Sequence, residues 1–211
     1  MSTDTRPLRA DAARNRDKLL TTASAVFGER GLDAPLEEIA RRAGVSIGTL
    51  YNHFPSRDAF LDAILPVRLA ALEQIAVTAM DNGDPWSGFA GFVEDLIALQ
   101  AEDRGLNDAL AQRFPLSPAA AEACHRGFKH FATIINRAKK SGQLRVDFQP
   151  QDLATLMWAM SQVIRESMDV APQAWRRCLA FFLDGLRAEA AHPIAVPALT
   201  QTQLAQVLQT P

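Results

Sequence analysis

The stretch LEEIARRAGVSIGTLYNHFPSRDAF, residues 36–60, decides how the rest of the chain is organised. Gly44 suits the left-handed position that ends a helix, and Ser46 can cap the next helix by accepting a backbone N–H of its first turn. Leu50 and Phe54 lie four residues apart and point inward together. We therefore predict two short helices joined by a tight turn and followed by a longer helix. The apolar face of the first short helix recurs at helical spacing at Leu36, Ile39, Ala40 and Ala43.

The second short helix is predicted to show small and hydrogen-bonding side chains to solvent. With Leu50 and Phe54 turned inward, its remaining faces carry Ile47, Gly48, Thr49, Tyr51, Asn52 and His53. A helix-turn-helix with such an outer edge has the shape and the chemistry of a DNA recognition helix.

The run VSIGTLYNHFPSRD, preceded by IARRAG, resembles the DNA-binding signature of the tetracycline-repressor-like (TetR) family. That signature is an Ala-Gly turn, then Val-Ser-x-Gly-x-Leu-Tyr-x-His-Phe, then Ser or Thr with a basic residue. The resemblance covers residues 14–61, and the rest of the chain is similar to the family only in length and all-helical texture. It implies a ligand-responsive transcriptional regulator, most often a repressor, that is not an enzyme.

The resemblance also implies which residues contact DNA. Gly48 would let the backbone approach the duplex closely, and Asn52 would hydrogen-bond adenine or, alternatively, a phosphate. Tyr51, His53 and Arg57 would hold phosphates and fix the register, although Tyr51 and His53 could instead only pack between helices. The predicted DNA-binding residues are Ser46, Gly48, Thr49, Tyr51, Asn52, His53, Arg57 and Lys18.

Two positions depart from the family pattern. Position 47 is often basic in the family, whereas Ile47 cannot bind phosphate. Pro35 and Leu36 replace the usual hydroxyl residue at the start of the first short helix. Both changes remove a phosphate contact that the resemblance would otherwise imply.

The charge of the chain is unevenly distributed. The net charge is −2 over 211 residues, but residues 1–57 carry nine basic and seven acidic side chains, against thirteen and seventeen in residues 58–211. A basic head on an acidic body favours nucleic-acid binding through the head. A cluster of cations, read either as phosphate contacts or as a solvated helix start, precedes the first apolar stripe at Arg6, Arg9, Arg14, Arg16 and Lys18.

Composition predicts a globular protein of the cytoplasm. Hydrophobic residues make up 48% of the chain, the N-terminus lacks the apolar segment of a secretory signal, and no run of about 18 apolar residues predicts a membrane span. Cys124 and Cys178 are read as reduced buried thiols, with a disulfide as the less favoured alternative.

We predict an all-α fold with an N-terminal three-helix helix-turn-helix head (residues 1–57) and a C-terminal helical bundle body (58–192). A tail (193–211) either holds a short helix at 197–208 or is frayed. A fourth helix is predicted to begin after Pro55, with Ser56 as its cap. The other helices outside the motif are predicted at 11–30, 86–102, 106–112, 117–140, 151–169 and 173–190.

Prolines mark two boundaries in this scheme. Asp33 or Ala34 is predicted to cap the helix that Pro35 opens. Pro66 lies inside the fourth helix, where it removes a hydrogen bond and clashes with the carbonyl of Asp62, so we predict a kink or a break there.

The body is predicted to bind a small molecule. Bundle interiors carry ligand pockets, and by resemblance the body holds the site of a small apolar or amphipathic effector that releases the protein from DNA. Ordinary core packing is the alternative reading of each aromatic residue. The candidate ligand-binding residues are Phe89, Phe92, His125, Phe128, Trp158, Ser161, Gln162 and Arg165.

The last two body helices, 151–169 and 173–190, are apolar over more than one face. Excess apolar surface suggests burial against a partner, and by resemblance these helices form a two-fold, four-helix homodimer interface. A dimer would place two recognition helices in successive major grooves of a palindromic operator.

Metal and catalytic sites are not predicted. His125 and His130 are five residues apart and so do not share a helix face, and no nucleophile elbow or phosphate-binding glycine loop is present. We expect no cofactor. The competing hypothesis is a helical small-molecule binder or enzyme with a vestigial head, which would have lost the outward polar residues that this head keeps.

Overall fold

The computed structural model describes residues 6–111 and 130–209, and within these ranges every regular element is a helix. The predicted all-α fold is confirmed. Within the described ranges, one antiparallel bridge joins Leu144 to Arg187. The helices are α1 (Arg6–Arg30), α2 (Leu36–Ala43), α3 (Ile47–His53), α4 (Arg57–Met80), α5 (Pro85–Glu102), α6 (Arg104–Ala111), α7 (130–140), α8 (Pro150–Ser167), α9 (Ala174–Leu186) and α10 (Gln201–Gln209), with a 3₁₀ turn at Ala188–Ala190.

The turn between α2 and α3 forms as the sequence predicts. Gly44 adopts φ 70° and ψ 33°, the left-handed conformation. The backbone N–H of Val45 donates to the carbonyl of Ala40 at 3.0 Å, and that of Gly44 donates to Arg41 at 3.2 Å. These two bonds satisfy the last carbonyls of α2 and set the angle at which α3 leaves.

Both predicted serine caps are present. The Ser46 hydroxyl oxygen accepts the Thr49 N–H at 3.1 Å at the start of α3, and the Ser56 hydroxyl oxygen accepts the Ala59 N–H at 3.2 Å at the start of α4. Each cap satisfies one of the amides that a helix start leaves unpaired.

One apolar cluster unites α1, α2, α3 and the first half of α4. Leu50 and Phe54 are almost completely buried in it, which confirms that they point inward. Phe60 of α4 stacks on Phe54 with ring centroids 4.0 Å apart and meets the edge of Phe27 at 6.5 Å. The two faces of α3 are therefore distinct, because the apolar one is fixed in this cluster.

The start of α2 differs from the prediction. Pro35 itself is the N-cap residue, and α2 begins at Leu36. The Pro35 carbonyl accepts the N–H of Glu38 at 3.1 Å, and no side chain caps this helix. The prediction of Asp33 or Ala34 as the cap is wrong. Pro35 has an extended backbone, with ψ 134°, so it lies just outside the helix and takes the cap position itself.

Of the predicted kink or break at Pro66, the break is excluded, since α4 runs continuously from Arg57 to Met80. An interior proline costs a helix about 3 kcal/mol. Burial on both sides of it offsets that cost: Ile64, Leu65 and Leu69 all lie in the core. The helix thus connects head and body without interruption.

The body has a second apolar cluster formed by the later half of α4 with α5, α7, α8 and α9. Phe92 stacks on Phe131 at 5.3 Å, and Phe89 meets Phe148 edge-on at 5.6 Å. Cys178 is a free thiol in α9, and Cys124 lies outside the described residues. Of the two predictions for the tail, the helix forms: α10 begins at Gln201, four residues after the predicted start at 197.

Short helix α6 joins the head to the body. The Asp103 carboxylate before it accepts Arg68 Nη1 of α4 at 2.6 Å and the Leu106 N–H at 2.9 Å. Further along α6, Asp108 accepts the N–H of Leu32, in the turn between α1 and α2, at 2.9 Å. Burial lowers the pKa of the Arg68 guanidinium, and the nearby Asp103 charge opposes that shift. Both ends of α6 are therefore attached to the N-terminal helices.

Replacing Gly105 with alanine is expected to destabilise the protein by about 1–3 kcal/mol. A Cβ at Gly105 would lie 2.8 Å from the Phe27 carbonyl oxygen and 2.5 Å from Arg68 Nη1, so α1 and α6 would have to separate. Thermal unfolding measures the change. Gly91→Ala in α5 is the matched control, because no atom lies within 4 Å of its added Cβ. Equal midpoints for the two variants would contradict this close packing.

Candidate functional site

The outer edge of α3 is open to solvent. Tyr51 is 45% exposed and Ile47 38% exposed, and Gly48 and Asn52 are exposed as well. Leu50, on the opposite face, is fully buried. The sequence-predicted recognition residues Ser46, Gly48, Thr49, Tyr51, Asn52 and His53 are thus brought together on one short helix and its cap.

These polar groups differ in whether they already have a hydrogen-bond partner within the protein. The Ser46 and Thr49 hydroxyls are 2.9 Å apart and hydrogen-bonded to each other, and Ser46 also holds the cap. Among the described residues, the Tyr51 hydroxyl and the Asn52 amide have no hydrogen-bond partner. The groups available for an external ligand are therefore mainly those of Tyr51 and Asn52.

Arg57 does not point outward as predicted. Its guanidinium donates to the Leu32 carbonyl oxygen and lies over the Phe27 ring, 5.9 Å from the centroid. The sequence did not predict these contacts of Arg57, because a sequence pattern cannot show which distant groups a long side chain reaches in the fold. In this conformation Arg57 joins α4 to α1 rather than binding phosphate.

Most other cations of the head pair with acids. Arg42 contacts Glu29 at 2.7 Å and Glu38 at 2.8 Å. The Glu29 hydrogen bond is the main cause of the raised pKa of Arg42. Arg30 and Arg41 also pair with Glu38. This network stabilises the contact between α1 and α2 and leaves those arginines partly neutralised.

Two cations of α1 have no acidic partner among the described residues. Lys18 is exposed, as its predicted phosphate contact requires. Arg16 lies over the ring of Phe54, the residue that follows α3, with the guanidinium carbon 5.3 Å from the centroid. Arg16 is therefore beside the end of α3, a position that the basic cluster in the sequence indicated but did not single out.

The candidate ligand residues of the body separate into two groups. Phe89 and Phe92 are core residues, and Ser161 is fully buried, while Trp158 is half-buried. Gln162 and Arg165 are exposed, and they contact Glu166 and Asp108 respectively. Their predicted role inside the body is not supported. Successive residues of a helix lie about 100° apart, so Gln162 and Arg165 lie outside the buried face of α8. His125 and Phe128 lie outside the described residues.

Three polar side chains are buried among the described residues, and the sequence analysis did not single out two of them. Gln100 of α5, Asn107 of α6 and Ser161 of α8, here called the interior polar cluster, are at most 3% exposed. Ser161 Oγ donates to Gln100 Oε1 at 2.8 Å, and Asn107 Nδ2 donates to the Ser161 backbone carbonyl at 3.2 Å. The only signal available was the occurrence of uncharged polar residues within apolar helix faces.

A groove of about 800 Å³ lies between α1, α4 and the end of α5. It is open along the surface, and the pair of Arg68 and Asp103 lies on its wall. None of the predicted ligand residues lines it. Arg68 and Asp103 of this wall already bind each other, and the groove is assigned no ligand.

The last two body helices leave aromatic surface uncovered. Phe181 is 64% exposed and Phe182 42% exposed on α9, while Trp175 and Leu179 of the same helix are buried against the body. Ala159 of α8 is exposed as well. The exposed surface at Ala159, Phe181 and Phe182 is here called the α8–α9 face.

The described residues contain neither a metal site nor a membrane-spanning helix. No group of three or more His, Cys, Asp or Glu side chains there is arranged to hold a metal ion. In the same ranges, no helix combines the length and the apolar character needed to cross a membrane.

Comparison with known proteins places both parts of the chain. The family of bacterial regulatory proteins called tetR matches residues 19–64, and the C-terminal domain of SbtR-like transcriptional regulators matches residues 84–188. The regulator SrpR of Pseudomonas putida is 39% identical over 151 residues, which cover 69% of this chain and 71% of that protein.

Two solved structures agree with this placement. A TetR regulator from Mycobacterium vanbaalenii is 32% identical, with 86% of this chain and 99% of that chain covered at a TM-score of 0.52. The regulator SCO0520 from Streptomyces coelicolor is 29% identical, with 82% and 98% covered at a TM-score of 0.52. These proteins are regulators of transcription rather than enzymes, so the hypothesis of an enzyme with a vestigial head fails. The chain belongs to the TetR family of ligand-responsive, DNA-binding transcriptional repressors.

Proposed function

We propose that two copies of this chain bind a palindromic operator, each inserting the outer edge of α3 into a major groove. The open hydrogen-bonding groups of Tyr51 and Asn52 are the observation that supports this proposal most strongly. Asn52 reads a base through its amide, and Tyr51 and His53 fix the register on phosphates. Arg16 and Lys18, which lack acidic partners in the described chain, add phosphate contacts from α1.

The dimer forms through the α8–α9 face. Phe181 and Phe182 expose two consecutive aromatic rings, and contiguous apolar surface marks protein–protein contacts. A two-fold contact would bury the same rings on both subunits. In the proposed dimer the two α3 edges would lie about 34–36 Å apart, which is one turn of the duplex. A cytoplasmic location, and domain boundaries at residues 57 and 192, remain part of this proposal.

The repressor leaves its operator when a small apolar or amphipathic effector binds in the body. An effector acts only through its different affinity for the DNA-binding and released states. Contacts near α6 provide a route for that difference: Asp108 accepts the Leu32 N–H of the head, and Arg68, which pairs with Asp103, also donates to the Ser24 carbonyl of α1.

A mobility-shift assay with the DNA upstream of this chain's own gene tests the proposal. We expect a sequence-selective complex that unlabelled operator displaces and that random duplex of equal length does not. The affinity should fall steeply with added salt, because each phosphate contact releases counterions. Equal displacement by both competitors would count against operator recognition.

A further inference from the structure

The interior polar cluster contains a carbonyl oxygen with no partner. Asn107 is 3% exposed, and its Oδ1 makes no hydrogen bond within the described chain. The amide cannot simply be turned over, because its Nδ2 donates to the Ser161 carbonyl and an oxygen there would face another oxygen. A buried acceptor without a donor is unfavourable and is uncommon in folded proteins.

A second group of the cluster is poorly satisfied. Gln100 Oε1 accepts the Ser161 hydroxyl at 2.8 Å, but Gln100 Nε2 reaches only the thioether sulfur of Met157, at 3.4 Å. Thioether sulfur is a weak acceptor. The cluster therefore offers an incoming molecule one unused acceptor and one weakly used donor, all within an apolar core.

The cluster is also electrically neutral. The three buried polar side chains among the described residues are all uncharged, and burying an ion without a counter-charge is strongly unfavourable. A carboxylate or ammonium group would find no compensation here. The complementary ligand is neutral and carries a donor.

We propose that the effector is a neutral molecule with a largely apolar body and one hydroxyl or N–H group, which donates to Asn107 Oδ1. This inference rests on the proposed function and names the chemical class of its effector. A hydroxyl suits the cluster best, because it combines the donor that Asn107 Oδ1 lacks with the stronger acceptor that Gln100 Nε2 lacks. The strongest candidates by chemistry are therefore phenols and alcohols. A bound water molecule is the competing occupant.

Matched probes test the inference by calorimetry on the full chain. The donors are 4-tert-butylphenol and 2-naphthol, the controls are their methyl ethers, and 4-tert-butylbenzoate tests for a charged ligand. We expect the phenols to bind about tenfold tighter than the ethers, as one added hydrogen bond to a buried acceptor would provide. Equal binding of phenol and ether, tightest binding of the benzoate, or binding by none of the probes would overturn the inference.

Asn107→Leu separates the unpaired acceptor from the rest of the site. Leucine keeps the volume and removes the whole amide, so we expect a thermal midpoint at or above that of the wild type and no preference for phenols. Gln74→Leu, at an exposed amide of α4, is the matched control and should keep the preference. A preference that survives in Asn107→Leu contradicts the assignment. The probe comparison on the wild type decides the question if this variant does not fold.

Operator binding is measured separately, without probes, by mobility shift. If the wild type shows no selective DNA binding, the proposed function is contradicted, and the preference for phenols over ethers can still be measured. Selective DNA binding without any phenol preference would contradict only the inference about the effector.

Discussion

Replacing Asn52 with alanine is expected to weaken operator binding by about 1–3 kcal/mol, roughly 5- to 150-fold, and to relax the base preference at one position of each half-site. The Asn52 amide is exposed and unpaired in the described chain, whereas α3 is held in place by Leu50 on its other face. The variant therefore loses a contact and keeps its fold. Titrated mobility shifts on the operator and on its single-base variants measure both effects.

Lys18→Gln provides the contrast. It removes one phosphate contact, so affinity should fall on all sequences alike and the slope of log K against log salt should decrease by about one. The slope should be unchanged in Asn52→Ala. Gln74→Ala, at an exposed amide on α4, controls for the loss of any surface amide. An Asn52→Ala variant with full affinity and unchanged base preference would exclude base reading by this residue.

Replacing Phe181 with glutamate is expected to separate the dimer and to reduce binding to the full palindrome by about 10²-fold or more. A linked second site raises avidity by 10²–10⁴-fold, and a monomer loses that gain. Phe181 is 64% exposed and lies outside the body core, so its charge would be solvated in the monomer and buried in the dimer. Sedimentation and titration against the palindrome measure the two consequences.

The control for this variant is Val146→Glu. Val146 is 79% exposed and lies in the segment between α7 and α8, on neither helix of the α8–α9 face. It adds the same charge and should leave both the oligomeric state and the affinity unchanged. Binding of Phe181→Glu to an isolated half-site should equal that of the wild type. A Phe181→Glu protein that still sediments as a dimer would show that another surface pairs the subunits.

Local signals in the sequence are enough for the helix-turn-helix. Gly44, Ser46 and Ser56 act on backbone groups within five residues of themselves, and the spacing of Leu50 and Phe54 needs only the helical period. These caps and this spacing involve only residues that are close in the sequence. For this reason the turn, both caps and the buried face of α3 were all predictable.

Features that depend on distant parts of the chain were not predictable. Arg57 finds the Leu32 carbonyl 25 positions away, and α4 tolerates Pro66 because other helices bury its neighbours. Asn107 and Gln100 look like ordinary surface amides in the sequence, yet both lie in the core. Their burial follows from the placement of α6 between the head and α8, which no local pattern specifies.

Selection of duplexes from a random pool, run in parallel with the wild type and Asn52→Ala, tests most directly whether the α3 edge reads the operator. We expect the wild type to enrich a two-fold symmetric sequence with half-sites about one helical turn apart. Asn52→Ala should select the same sequence with one position in each half-site left free. Failure of the wild type to enrich any sequence, or an identical selected sequence from both proteins, would contradict the account.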